Sequence, residues 1–387
     1  NAIDFGGAAV NQITIRSSEA GSPTVTATGG VSGFDEDLQE DLPGGAGIGG
    51  GLNSGKSIIN ILKGTIGNVI GGRFAAGIGS GQSSKSEVNI SGGTLQTVTG
   101  GACGAGIGGG FDGSSSDVTI TGGTLQIVTG GAYGAGIGSG YYGRSSTVNI
   151  SGDAELKDVR GGNLAAGIGS GYGSDKVDVV IDGGTINATG GDSAAGIGSG
   201  HNSRSSVTIK SGTVNATGNG TGAGIGGSDN NNSSSITITG GTIIANGTDE
   251  APAIGGGSVS ISNADAPLDI TATAPDAANA IQSNDGKTLD KVISLMENGK
   301  KGLVKLVESG TNSLSRLFHN GVYAASHFTS HSPNRVTPEM SEAEKAKYGD
   351  IASVHNWKVS DRQEPNCGKD GYIEYTCMVD HHAGVFD

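Results

Sequence analysis

A tetrapeptide, Ala-Gly-Ile-Gly or a close variant, returns eight times along the chain. It centres on Ile48, Ile78, Ile107, Ile137, Ile168, Ile197, Ile225 and Ile254, at intervals of 30, 29, 30, 31, 29, 28 and 29 residues. The period is not that of a coiled coil, and the Leu/Asn consensus of a leucine-rich repeat is missing. Each unit also carries a V-x-I segment, as in Val88/Ile90, Val118/Ile120 and Val148/Ile150. A third apolar pair follows, as in Leu95/Val98, Leu125/Val128, Leu156/Val159 and Ile186/Ala188, and then Gly-Gly. Over residues 117–121 apolar and polar residues alternate with period two, as in a strand with one buried face. A unit of three short strands cannot bury its own apolar side. Coils stacked ~4.8 Å apart bury it in continuous columns and pair their backbones with one another. The sequence therefore predicts an all-β fold, a right-handed parallel β-helix of about 29–30 residues per coil; the hand follows from the general rule for parallel connections.

Composition agrees with this reading. Glycine supplies 75 of 387 residues, without a three-residue period and with only 8 prolines, which excludes collagen and suits a solenoid with tight corners. Residues 46–282 read as the β-helix proper. Residues 1–45 read as its first coils with an acidic insertion at 35–41, and 283–387 as a small α+β region. In the last, Leu289, Val292, Ile293 and Met296 sit at helical spacing and predict a helix ending near Gly299. Ser341 to Glu344 carries a capping-box pattern. The end of the chain, from His355 and Trp357 through Cys367, Gly371, Tyr375 and Cys377, resembles a small repeat common on Gram-positive surface proteins. Cys367 and Cys377 are open to a disulfide, to free thiols, or to zinc with His381 or His382. Cys103 aligns with Phe74, Tyr133 and Leu164 and reads as a packed small side chain.

Formal net charge is -14, which disfavours nucleic acids and anionic membranes as partners and favours neutral sugars or cations. No run of ~18 apolar residues predicts a membrane span, and three cysteines make no disulfide framework. Asn-x-Ser/Thr triplets occur at Asn89, Asn149, Asn187, Asn215, Asn219 and Asn246, and several fall on stacked strands with no room for a glycan on each. They read as unmodified polar ladders and suggest a bacterial source.

Two clusters break the regularity of the coils. Just after the Ala-Gly-Ile-Gly turn, successive coils present Gln82, Phe111, Tyr141 with Tyr142, Tyr172 and His201. Stacked one per coil, these form a column of rings on one edge, suited either to stacking on sugar C–H faces or to stabilising the turn. The second cluster is acidic. Residues 152–182 hold Asp153, Glu155, Asp158 and Arg160 where neighbouring coils have small residues, followed by Asp175, Asp178 and Asp182. Two carboxylates flanking a glycosidic bond serve hydrolysis; a group of carboxylates can equally hold calcium or simply be solvated. Asp175 and Asp182 cooperate only where the chain folds back between them.

The glycine-rich coils with Ala-Gly-Ile-Gly-Ser/Gly-Gly resemble the extracellular, pectin-lyase-like β-helices of Gram-positive gut bacteria. Within that set, the seven-residue spacing of Asp175 and Asp182 is similar to that of the family-136 glycoside hydrolases, the lacto-N-biosidases that act on human milk oligosaccharides. The resemblance implies a secreted or cell-surface hydrolase with Asp175 as acid/base and Asp182 as nucleophile. Sugar contacts are then expected from Phe111, Asp112, Tyr141, Tyr142, Tyr172, His201, Asp158, Arg160 and Asp178. The resemblance implies no cofactor, with calcium the alternative. That family's helical N-terminal region would be a partner subunit or a domain not in this chain. The competing expectation is a non-catalytic carbohydrate-binding protein or adhesin on the same aromatic edge.

Overall fold

The computed structural model describes residues 44–310 apart from 113, 229–233, 249, 250 and 297. Outside that span it describes 3, 4, 10–16, 25–30, 34, 35, 40, 41, 313–320, 357–363, 372–377 and 383–386. The capping-box pattern at Ser341, with Cys367, His381, His382 and the side chain of Cys377, lies outside the described residues.

The protein is a parallel β-helix. Among the described residues one sheet stacks nine two-residue strands, from Ile3–Asp4 through Ile48–Gly49 to Ile254–Gly255. Each repeat isoleucine lies opposite the next without a register slip. The V-x-I and third apolar segments form a second, 16-stranded sheet. Here the expectation of three separate strands per coil needs correcting. Lys85–Thr99, Ser115–Thr129 and Ser146–Arg160 are each one strand of 15 residues, and Val177–Thr189 and Ser205–Thr217 are each one of 13. Each bends at its central glycines, where the register shifts. A bulge turns the corner without breaking the ladder, so two arms remain one strand.

The core is a set of straight columns. The repeat isoleucines, the V-x-I pairs and the third apolar pairs are almost fully buried from Ile48 to Ala272. Burying each such aliphatic side chain contributes ~1.5–3 kcal/mol. Serines fill the remaining interior and hydrogen-bond from coil to coil: Ser84 Oγ accepts from the Ser54 amide, and Ser86 Oγ lies 2.9 Å from Ser116 Oγ. These ladders satisfy polar groups that would otherwise be costly to bury. The second glycine is obligatory in the tetrapeptides from Ile48 to Ile225, where φ is positive and the next coil's carbonyl lies against the missing Cβ. Gly108 has φ +133°, and a Cβ there would sit 2.0 Å from the Gly138 carbonyl oxygen.

The ladder extends past residue 282 at its C-terminal end, and before residue 46 it includes a strand of the expected first coils. Val10–Ile15 pairs in parallel with Lys56–Ile61. The acidic insertion brings Phe34–Asp35 and Glu40–Asp41 together as a short antiparallel pair. At the other end Leu268–Ala274 pairs in parallel with Gly302–Glu308, past residue 282, and Ser313–His319 returns antiparallel. The helix expected over Leu289 to Met296 is a single turn, Leu289–Val292. Ile293–Ser294 instead pairs with Ile261–Ser262. Val292 and Ile293 are buried while Met296 stays 45% exposed, so the apolar spacing serves the open strand edge and not a helix face. Trp357–Gln363, Tyr372–Cys377 and Ala383–Phe386 form an antiparallel sheet.

Candidate functional site

The Ala-Gly-Ile-Gly segment dips into the core and returns within a few residues. Its alanine amide donates to the carbonyl four residues on, as in Ala105 to Gly109 (2.9 Å) and Ala135 to Ser139 (3.0 Å). The residues on either side of this dip therefore meet outside it. The residue four after the repeat isoleucine in one coil donates its amide to the residue four before it in the preceding coil: Phe111 to Phe74, Tyr141 to Cys103, Tyr172 to Tyr133 and His201 to Leu164. Two columns interleave at one edge.

The result is a continuous aromatic strip. Down the first column the ring centroids of Phe111 and Tyr141, Tyr141 and Tyr172, and Tyr172 and His201 lie 5.4, 5.4 and 5.8 Å apart. Phe74 joins at 5.2 Å from Phe111, and Tyr133 at 5.2 Å from Tyr141 and 6.0 Å from Tyr172. Arg73 caps the Phe74 end, 5.1 Å above its ring. Tyr142 stacks on Tyr141 at 4.2 Å. The strip holds four of the chain's 8 tyrosines and two of its 7 phenylalanines, a concentration that regular packing does not require. Phe111, Tyr141, Tyr142, Tyr172 and His201 are brought together as their spacing suggests. Phe74 and Tyr133 were not anticipated as members; their alignment with Cys103 was the available signal, but only the closed turn carries that column against the other.

Tyr142 is the least comfortable member. It has φ +50°, and the equivalent residues Asn53, Ser83, Asp112 and Asn202, also at positive φ, are small and polar. A left-handed conformation costs a side chain of this kind about 1–2 kcal/mol, and this ring is 48% exposed. Backbone strain held at an exposed aromatic residue is a feature of functional sites. The Tyr141 hydroxyl is hydrogen-bonded to Tyr142, and this together with burial pushes its pKa up to about 12. Burial also pushes the Cys103 thiol up, against the opposing charge of Arg73. Asn202 reaches the Tyr172 hydroxyl at 3.4 Å, while Asp112 is tied to the coil through its carbonyl, 3.2 Å from Ser83 Oγ.

The acidic coil behaves differently from its reading in the sequence. Val177 to Asp182 run as one extended arm, paired in register with Ser146 to Ser151. At ~3.3 Å per residue these five steps span about 17 Å, well beyond the ~9.5 Å limit for cooperating carboxylates. The chain does not fold back, so Asp175 and Asp182 do not form a pair. Asp182 instead accepts from Ser211 Oγ at 2.9 Å. The other acids have separate partners: Asp178 with Lys176 (2.7 Å), Asp158 with Arg160 (2.7 Å) and Glu155 with Lys157 (3.6 Å). Such exposed pairs contribute ~0–1 kcal/mol each. Among the described residues no three His, Cys, Asp or Glu side chains converge as a bound metal requires, so the calcium alternative finds no cluster there.

Asp153 and Glu155 do share a feature. With Thr124, Gly152 and Thr185 they line an open groove of about 560 Å³ at the bend of the long strands. Glu155 accepts from Thr124 Oγ1 at 3.1 Å. The groove and the strip sit at opposite ends of the same arm.

Against known proteins, the repeat is where likeness is found. Five stretches of this chain are similar to the beta helix repeat. They are residues 88–111, 118–141, 179–201, 207–229 and 236–258, and the acidic residues 152–160 lie between the second and the third. No curated protein and no solved structure matches the chain. A beta helix repeat domain is compatible with carbohydrate-related enzymes and with carbohydrate binding. Among the described residues no helix is long and apolar enough to cross a membrane.

Proposed function

We propose that this is a bacterial carbohydrate-binding protein, secreted or held at the cell surface, whose aromatic strip is the platform for the sugar. The observation that carries the reading is Tyr142: a bulky ring kept in a left-handed turn, half exposed, stacked on Tyr141 and edge-on to Tyr172 within a strip of seven rings spread over five coils. Aromatic rings pack against sugar C–H faces while phenol hydroxyls supply hydrogen bonds. The acidic balance suits a neutral ligand.

The competing account, a stack that only stabilises the turn, predicts a different outcome for one substitution. Tyr142→Asn installs the residue found at the equivalent positions 53 and 202. It loses a stacking pair worth ~0.5–1.5 kcal/mol and relieves left-handed strain of about the same size. Tm should therefore change little, while binding weakens about tenfold, and about 100-fold when Tyr172→Ala is added. Titration calorimetry against a glycan panel gives the affinity. Unaltered binding in the double variant, or a large fall in Tm with Tyr142→Asn, would count against the strip as the site.

A second reading, glycoside hydrolysis, has its support at the groove and none at Asp175 and Asp182. Asp153 and Glu155 flank buried Ala154 at the bend of the strand and line one groove, and two carboxylates facing one cleft are what glycoside hydrolysis uses. Incubation with lacto-N-tetraose and with mucin and plant oligosaccharides, followed by mass spectrometry, tests it. Cleavage abolished by Asp153→Asn or Glu155→Gln and kept by Asp175→Asn would support it. An untouched panel would remove it.

A further inference from the structure

We propose that the ligand is a linear, uncharged β-1,4-linked glycan lying parallel to the solenoid axis, with one sugar per coil. This rests on the aromatic strip being a carbohydrate site and adds the class of carbohydrate and its direction. Three observations on the strip lead there.

The first is its step. The rings of Phe111, Tyr141, Tyr172 and His201 follow one another at 5.4, 5.4 and 5.8 Å, one per coil. An extended β-1,4-linked pyranose chain advances by close to the same distance per residue, so each sugar meets one ring, with successive planes inclined by 27°, 48° and 11°. The second is its straightness. The Ile-Gly rungs beneath it stay in register from Ile78 to Ile197, so the strip runs straight for about 20 Å at ~4.8 Å per coil. All-equatorial β-1,4 linkages keep a chain straight and ribbon-like, with C–H faces on its two broad sides. An α-1,4 or β-1,3 chain coils and leaves a straight track after a few sugars. The third is charge. Arg73 stands at one end only, and the chain carries a net charge of -14, which repels a polyuronate. The strip is most open at its middle, where Tyr133 and Tyr142 are 39% and 48% exposed, and its other rings are part-exposed. It thus suits the middle of a long chain.

Calorimetry with cello-, manno- and xylo-oligosaccharides of two to six sugars tests this. Affinity should rise with each added sugar, at least about tenfold overall, and level off near five, the number of coils that carry rings. Maltohexaose and laminarihexaose should bind no better than their disaccharides. His201→Ala, at the end of the strip, should move the plateau down by one sugar. Binding that is lost in Tyr142→Asn but independent of chain length or of linkage would overturn the proposal and leave the strip a carbohydrate site. Absence of binding by every glycan, the neutral panel included, would overturn both.

Discussion

Tyr141 sits at the middle of the strip with its hydroxyl committed to Tyr142, and its ionisation reports on that contact. Its pKa rises to about 12 in the folded protein, against about 10 for an unfolded tyrosine. The fold therefore prefers the protonated phenol. This contribution to stability is complete below pH ~10 and is lost as the pH rises from there through ~12. Followed by phenolate absorbance, the titration should show a late component near pH 12. Tyr141→Phe should delete that last step and leave the rest in place. A wild-type titration with no late component would show that the hydroxyl contact does not hold in solution. At this scale the sequence makes five of the strip's seven rings legible. A fixed period places Phe111, Tyr141, Tyr172 and His201 one above another. It cannot show that Phe74 and Tyr133 interleave with them, because that depends on how tightly the Ala-Gly-Ile-Gly turn closes.

At the scale of elements, legibility followed the strength of the repeat. Alternating V-x-I segments in eight copies leave little choice but stacked strands, and the buried pattern over residues 86–90 and 116–120 alternates position by position. The failures occur where one element stands alone. Leu289, Val292, Ile293 and Met296 have helical spacing, but Ile261–Ser262 presents an open edge whose unpaired backbone groups draw Ile293–Ser294 into the ladder. Spacing says nothing of a neighbour that arrives from elsewhere in the chain. The aspartate pair fails for a related reason. Seven positions bring two side chains together across a turn and hold them far apart along a strand, and residues 177–182 are strand. By contrast Asp153 and Glu155 meet the same groove because two positions on a strand share a face.

For the molecule as a whole, the stacking is one-dimensional: each coil touches mainly its two neighbours, and stability is a sum of coil and interface contributions. A lesion in one coil should therefore be felt locally before it is felt globally. Gly108→Ala is the sharpest such lesion, since φ is +133° and the new Cβ would lie 2.0 Å from the Gly138 carbonyl oxygen, forcing two coils apart. It should cost about 2 kcal/mol or more. Gly310→Ala is the control, because nothing lies within 4 Å and its φ is not left-handed. By hydrogen exchange, amides between residues 78 and 150 should lose protection in Gly108→Ala, while those of Ile225 to Ala274 keep it and Gly310→Ala matches the wild type. The same opening separates the coils that carry Phe111 and Tyr141, so glycan binding should fall with it. Uniform loss of protection along the chain would mean that the solenoid folds as one cooperative unit, and that the strip depends on every coil and not on the five that carry it.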